Sequence, residues 1–295
     1  MKSVLSSPYS LVLPCSRCFT RNISRRAFAG SMPGSTVEKA SSERTAELLE
    51  SLAEIRARVK ASSPADKAVT LVAVSKIKPA SDILACYEDG QLDFGENYVQ
   101  ELEEKAHILP ADIRWHFIGT FQSNKAKILA SIPNLFCVQT IGLEQALSSD
   151  RSPLRVLIQV NTSGEGSKSG IPPLSSSSNL EISELVQLAK HIVKDCPRLQ
   201  LEGLMTIGAL ELSLTASETE KNADFERLKE TRTLLEQHLA QNFPGDNRKW
   251  GEEKSGKLLL SMGMSSDFEA ALKAGGDIVR VGTGIFGQDQ KRPDE

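Results

Sequence analysis

Three short stretches of this sequence hold the residues that could do chemistry. The first is Thr70–Lys76, TLVAVSK, an apolar, β-branched run ending on a lysine. The second is SMGMSSDFEAAL, beginning at Ser261, and the third is RVGTGIFG, beginning at Arg280. A lysine amine is a nucleophile towards carbonyl carbon. Turns rich in glycine and serine expose backbone N–H groups that suit a phosphate, and Gly282 and Gly284 allow close backbone approach while Thr283 adds a hydroxyl. Each stretch also has a plainer reading. Lys76 could mark where burial stops, and Ser265 or Ser266 could simply cap a helix, Ser266 with Glu269 having capping-box spacing. An amine facing a phosphate grip is the pairing that holds pyridoxal phosphate as a Schiff base.

Those residues need elements to bring them together. The run before Lys76 reads as a strand buried on both faces, and Pro79 suits the opening of a helix. Further strands are expected at Leu92–Phe94, Arg114–Gly119, Leu135–Gln139, Leu154–Asn161, Leu201–Ile207, Leu258–Met262 and Asp277–Val281. Helices are expected at Glu38–Lys60, Ala80–Glu88, Glu96–Ala106, Gln122–Ala130, Leu143–Leu147, Glu181–Lys194, Glu220–Gln241 and Ser266–Lys273. Phe243–Lys257 reads as a polar surface insertion. Eight strands alternating with helices predict an α/β fold, a closed (β/α)8 TIM barrel in one domain over 38–288, with a doubly wound sheet as the alternative. In such a barrel the strand ends Lys76, Gly95–Asn97, His116, Asn161, Thr206, Ser261–Ser266 and Arg280–Thr283 meet at one mouth.

Composition excludes several classes. The net charge is -3 and the body has no basic patch, which disfavours a nucleic-acid partner. No apolar run is long enough for a membrane span. The five dispersed cysteines form no disulfide framework, and the four histidines lack HExxH spacing, so no metal is expected. Cys86, Cys137 and Cys196 read as core or near-surface thiols, and His107, His191 and His238 as solvent-facing or locally bonded helix residues. Neither GxGxxG after the first strand nor GxxxxGK[ST] is present. Residues 1–37 are free of acids until Glu38 and rich in Arg and Ser, the pattern of a mitochondrial targeting peptide or of an extension without an address. Met32 could start a cytosolic form, so mitochondrion and/or cytoplasm is the expected location. Residues 289–295 read as a tail, and with eight residues after Gly287 no second domain is expected.

LVAVSK, FGENYVQE, WHFIGTFQSNK, VNTSGEGSKSG, GLMTIG, SMGMSSDFEAAL and VRVGTGIFG, in that order from about Leu48 to Gly287, resemble the YggS/PROSC family of pyridoxal-phosphate-binding proteins. The resemblance implies a single barrel like the N-terminal domain of alanine racemase, and a role in vitamin B6 and amino-acid homeostasis rather than an established reaction. It implies that Lys76 is the Schiff-base lysine and that Ser265, Ser266, Gly282 and Thr283 hold the phosphate. Arg280 would face the pyridine nitrogen, and Asn97 and His116 would line the pocket. A cation opposite that nitrogen disfavours its protonation and weakens the ring as an electron sink. The expected function is therefore cofactor carriage by a monomer or weak dimer. PLP-requiring apoenzymes or small amino acids are the implied partners. A PLP-dependent amino-acid racemase or lyase is the alternative, and a phosphometabolite enzyme a third reading that leaves Lys76 unexplained.

Overall fold

The computed structural model describes residues 37–139, 152–177, 179–209, 222–244, 250–253 and 255–288. The chain divides into two units, Met1–Ser35 and Thr36–Glu295; the first lies outside the described residues, as do the expected Leu143–Leu147 helix and the 289–295 tail. The eight strands are β1 Thr70–Val74, β2 Asp93–Glu96, β3 Arg114–Phe117, β4 Leu135–Val138, β5 Leu154–Gln159, β6 Leu199–Met205, β7 Leu259–Ser261 and β8 Ile278–Val281. All neighbours pair in parallel, and β1 pairs with β8, so the sheet closes into a barrel in chain order. The described helices are α1 Ser42–Ser62, α2 Ala80–Glu88, α3 Val99–Ile108, α4 Ala126–Ser131, α5 Glu184–Asp195, α6 Ala223–Asn242, α7 Phe268–Lys273 and α8 Thr283–Phe286.

Alternation along the strands divides the core in two. Val72, Cys137, Leu157, Met205 and Ile278, from five different strands, fill the lumen. Phe94, Trp115, Phe117, Val156, Leu204 and Val279 belong instead to the larger core shared with the helices. On α1 the stripe Leu48, Leu52, Ile55 and Val59 is buried, worth roughly 1.5–3 kcal/mol per fully buried side chain. That helix packs on α2, α7 and α8, and so braces the region where the chain enters and leaves β1 and β8. Arg44 bonds both Asp82 of α2 and the Phe286 carbonyl, tying α8 to the same layer. Gly203 must be glycine, because a Cβ there would lie 2.2 Å from the Leu259 carbonyl oxygen of the adjacent strand.

Several expected boundaries move. Strand β1 ends at Val74, so Lys76 lies in the turn that follows rather than in the strand. Glu96 belongs to β2, not to the helix after it, because Ser75 and Lys105 give its carboxylate buried partners at the strand end. Ser266 does not start α7 and forms no capping box: Glu269 is drawn away by Arg58, and the Asp267 carboxylate accepts from the Met264 N–H. The segment Phe243–Lys257 is not purely surface, since Trp250 is buried and bridges to Leu201, with the Gly251 N–H donating to the Leu201 carbonyl. His238 is buried on α6 rather than solvent-facing, and that burial lowers its pKa. Cys86, Cys137 and Cys196 are buried thiols, and desolvation pushes Cys86 up to about 12, far from a nucleophile's range. Among the described residues no helix is long and apolar enough to cross a membrane, and no group of His, Cys, Asp or Glu is arranged to hold a metal.

Candidate cofactor site

The turn carrying Lys76 is a built object. The Lys78 N–H donates to the Ser75 carbonyl at 3.1 Å and closes the turn. Between them Ile77 has φ 61, a left-handed conformation that a β-branched residue adopts at a cost of about 1–3 kcal/mol. The cost is offset from α3: the Ile77 N–H donates to Glu101 Oε1 at 2.6 Å. Lys105 Nζ donates at 2.7 Å to each of the Ser75 carbonyl, Glu96 Oε1 and Glu101 Oε1. The Ser75 hydroxyl donates to Glu96 Oε1 at 2.6 Å. Burial, with Glu101 beside it, pushes the Glu96 carboxyl up to about 7 against the opposing pull of Lys105. Lys76 itself is half-buried.

Arg280 is the cation of the lumen. It is buried on β8, where Nη1 donates to the Ser261 hydroxyl at 2.6 Å and Nη2 to the Thr206 carbonyl at 2.8 Å. Ser261 in turn donates to Gln139 Oε1 at 3.1 Å, so the hydrogen bonds run from β8 through β7 to the end of β4. Desolvation lowers the guanidinium pKa to about 10, partly countered by Asp267, and Arg280 remains a cation at neutral pH. Its neighbour across the sheet is Val72 of β1.

The two glycine- and serine-rich turns meet. Ser265 Oγ accepts from the Gly282 N–H at 3.2 Å and from the Gly284 N–H at 3.4 Å, so two amide donors converge on one oxygen. Gly263 has φ 90, and a Cβ there would lie 2.6 Å from Ala271 Cβ; only glycine lets the turn fold onto α7. A Cβ on Gly282 would lie 3.3 Å from the Val74 carbonyl, which places this turn against the end of β1, two residues before Lys76. Lys76, Arg280, Ser265 and Gly282 are thus gathered at the carboxyl ends of β1, β7 and β8. Ser266 and Thr283 are exposed beside them.

Other expected residues divide. His116 is buried on β3, its Nε2 bonded to Asp93 at 2.9 Å and its ring 5.4 Å from Phe136. Asn97 directly follows β2, and a Cβ on Gly119 would lie 2.0 Å from its carbonyl oxygen, so the loops after β2 and β3 are in contact. Asn161 organises its own loop, donating to the Glu165 and Lys168 carbonyls. Lys168 bonds Glu165 and the Gly208 carbonyl, joining the loops after β5 and β6. Gln139, Glu101 and Lys105 were not anticipated. For Gln139 the signal was present, a polar residue closing the apolar run LFCVQ as Lys76 closes its own.

Among the described residues nine buried side-chain nitrogen or oxygen atoms lack a hydrogen-bond partner, and three of them bear on whether a polar ligand fits here. Asn97 Oδ1, His116 Nδ1 and Gln139 Nε2 find no hydrogen-bond partner among the described residues. Buried polar groups are usually paired, and unpaired ones cost about 1–3 kcal/mol each. Asn97 Oδ1 accepts and Gln139 Nε2 donates, so a ligand carrying both donors and acceptors suits this set.

The chain also resembles known proteins. A model of the alanine racemase N-terminal domain matches residues 49–290. The pyridoxal phosphate homeostasis protein of Caenorhabditis elegans is 43% identical over 241 residues, 76% of this chain and 88% of the relative. The chain belongs to this family. Another structure, PipY of Synechococcus elongatus solved with PLP bound, is 30% identical with a TM-score of 0.57 and covers 81% of this chain and all of PipY. Alanine racemase from Streptomyces coelicolor shares the fold at a TM-score of 0.58 and 19% identity; the match takes in 81% of the family member described here and 58% of the racemase chain. The barrel and family expected from the motifs are therefore both found.

Proposed function

We propose that this protein binds pyridoxal 5'-phosphate at the barrel mouth and carries it as part of cellular cofactor homeostasis, without strong catalysis of its own. The observation that carries the reading is the gathering of the Lys76 turn, the buried Arg280 and the Ser265–Gly282 turn pair at adjacent strand ends. Relatives named pyridoxal phosphate homeostasis proteins and the PLP-bound PipY structure support it. When bound, the cofactor supplies an aldehyde that condenses with a lysine amine and a phosphate that anchors the ring. Lys76 supplies the amine. Gly282 and Gly284 supply amide donors, Ser265 and Thr283 hydroxyls, with Ser266 at the rim. Arg280 is held by Ser261 and Thr206 facing the lumen, where its charge disfavours protonation of a basic ring nitrogen set against it. Asn97 and Gln139, each with an unpaired buried atom, would line the remaining wall, whereas the His116 ring is bonded to Asp93 at the amino end of β2.

The runner-up, an amino-acid racemase or lyase, meets an obstacle in Arg280, because a ring kept unprotonated is a poor electron sink. Partners on the carrier reading are apoenzymes that need the cofactor, or small amino acids that compete with Lys76 for it. The Arg- and Ser-rich leader directs the chain to mitochondria, with Met32 starting a cytosolic form. Titration of purified protein with pyridoxal 5'-phosphate tests the reading. A saturable absorbance band that borohydride makes permanent is expected, with chiral assays of an amino-acid panel showing turnover no faster than free cofactor. Rapid racemisation of any amino acid would favour the enzyme reading.

A further inference from the structure

The residues that hold the Lys76 turn come from a helix that supplies none of the residues placed at the mouth. Glu101 and Lys105, one helical turn apart on α3, reach the backbone on both sides of Lys76: Lys105 bonds the carbonyl of Ser75, and Glu101 bonds the N–H of Ile77. They also bond each other at 2.7 Å, and Lys105 bonds Glu96 at the end of β2. The peptide units flanking Lys76 are thereby fixed to charged side chains, and Ile77 is kept at φ 61, a conformation it would leave if released. A side chain's direction follows from the backbone that carries it.

We propose that Glu101 and Lys105 are positioning residues that aim the Lys76 amine into the barrel mouth and set how long a cofactor stays attached to it. The proposal rests on the assignment of Lys76 as the tether. It goes further by making α3 the control point: when the Glu101 bond to Ile77 opens, the turn relaxes and the amine swings away from the Ser265–Gly282 turn pair. Glu101 Oε1 acts as an acceptor of the Ile77 N–H, so an amide can replace it and a methyl cannot.

Glu101→Ala, Glu101→Gln and, as a remote destabilising control on α5, Leu185→Ala separate positioning from stability. In cofactor-free protein, amide hydrogen exchange of the peptide containing Ile77 and acylation of Lys76 by an amine-reactive ester, read by peptide mapping, report on the turn alone. Glu101→Ala is expected to speed Ile77 exchange and change Lys76 acylation about tenfold, with Glu101→Gln near wild type and Leu185→Ala altering neither beyond its global unfolding. In protein loaded with pyridoxal 5'-phosphate, release to excess hydroxylamine is expected to be about tenfold faster in Glu101→Ala and unchanged in Glu101→Gln. Unchanged exchange and acylation in Glu101→Ala, or changes that Leu185→Ala reproduces in proportion to lost stability, overturn the proposal. Cofactor trapped on a lysine other than Lys76 in the wild type overturns the tether assignment instead, whatever the cofactor-free arm shows.

Discussion

Lys76→Ala is expected to abolish the borohydride-stable adduct and to leave the protein folded. Lys76 is half-buried in a turn, outside β1, and Glu101 and Lys105 hold backbone atoms of Ile77 and Ser75 on either side of it. Removing three methylenes and an amine from a half-buried turn residue costs about 1 kcal/mol. The effect on attachment is far larger, because the other lysines described near the turn are engaged: Lys105 with the Ser75 carbonyl, Glu96 and Glu101, Lys78 with the Gly287 and Gln288 carbonyls, and Lys168 with Gly208. On the proposed reading the Ser265, Gly282 and Gly284 turns still offer a phosphate grip in the variant, so weak non-covalent affinity is expected to remain. Absorbance titration, borohydride reduction and mass mapping measure this directly. An adduct formed at wild-type yield in Lys76→Ala would remove the tether from the account.

Lys105→Met is expected to be the most destabilising single change at the site, and to be so mainly at neutral and alkaline pH. Lys105 is the cation shared by Glu96 and Glu101, and all three are largely buried. Leaving two facing carboxylates without it costs about 3–5 kcal/mol. The sign of the pH dependence follows from Glu96. Its folded pKa is raised from 4.5 to about 7, so its neutral form is the favoured one. The stability associated with that neutral form is fully present below its unfolded value and lost as pH rises through about 7. Taking away Lys105 removes an interaction that pulls this pKa down, which moves the loss to still higher pH and deepens it. Urea denaturation from pH 5 to pH 8.5 should show Lys105→Met closest to wild type at the acid end and furthest at the alkaline end. A deficit that does not change with pH would mean that the carboxylates are not the source of the cost.

Much of the fold was legible because it is written locally. Eight apolar runs such as LRVLIQVN, spaced by helical stretches, specify a closed parallel barrel once each run is buried on both sides. Lys76 alone could equally mark where burial stops, and the place given to Arg280 comes from the resemblance of VRVGTGIFG to the family rather than from its charge. What could not be read depends on partners distant in sequence. Glu96 looks like a helix start in GENYVQE, and only Ser75, twenty-one positions before it, and Lys105, nine after, make it a buried strand residue. The Ser266–Glu269 pair has capping-box spacing, yet Arg58, 211 positions upstream, takes the glutamate. Ile77 carries no residue-type signal for a left-handed turn; its N–H partner there, Glu101, lies 24 positions further along the chain. Trp250 was lost inside a polar segment because one aromatic gives no periodicity to read.

Diffraction from crystals of the full chain grown with pyridoxal 5'-phosphate bears most directly on the proposed site. Continuous density from Lys76 Nζ to the cofactor is expected, with the phosphate between Ser265 and Thr283 and Arg280 facing the ring nitrogen. Density joined to a different lysine, or a phosphate seated away from the Gly282 and Gly284 amides, would contradict the assignment.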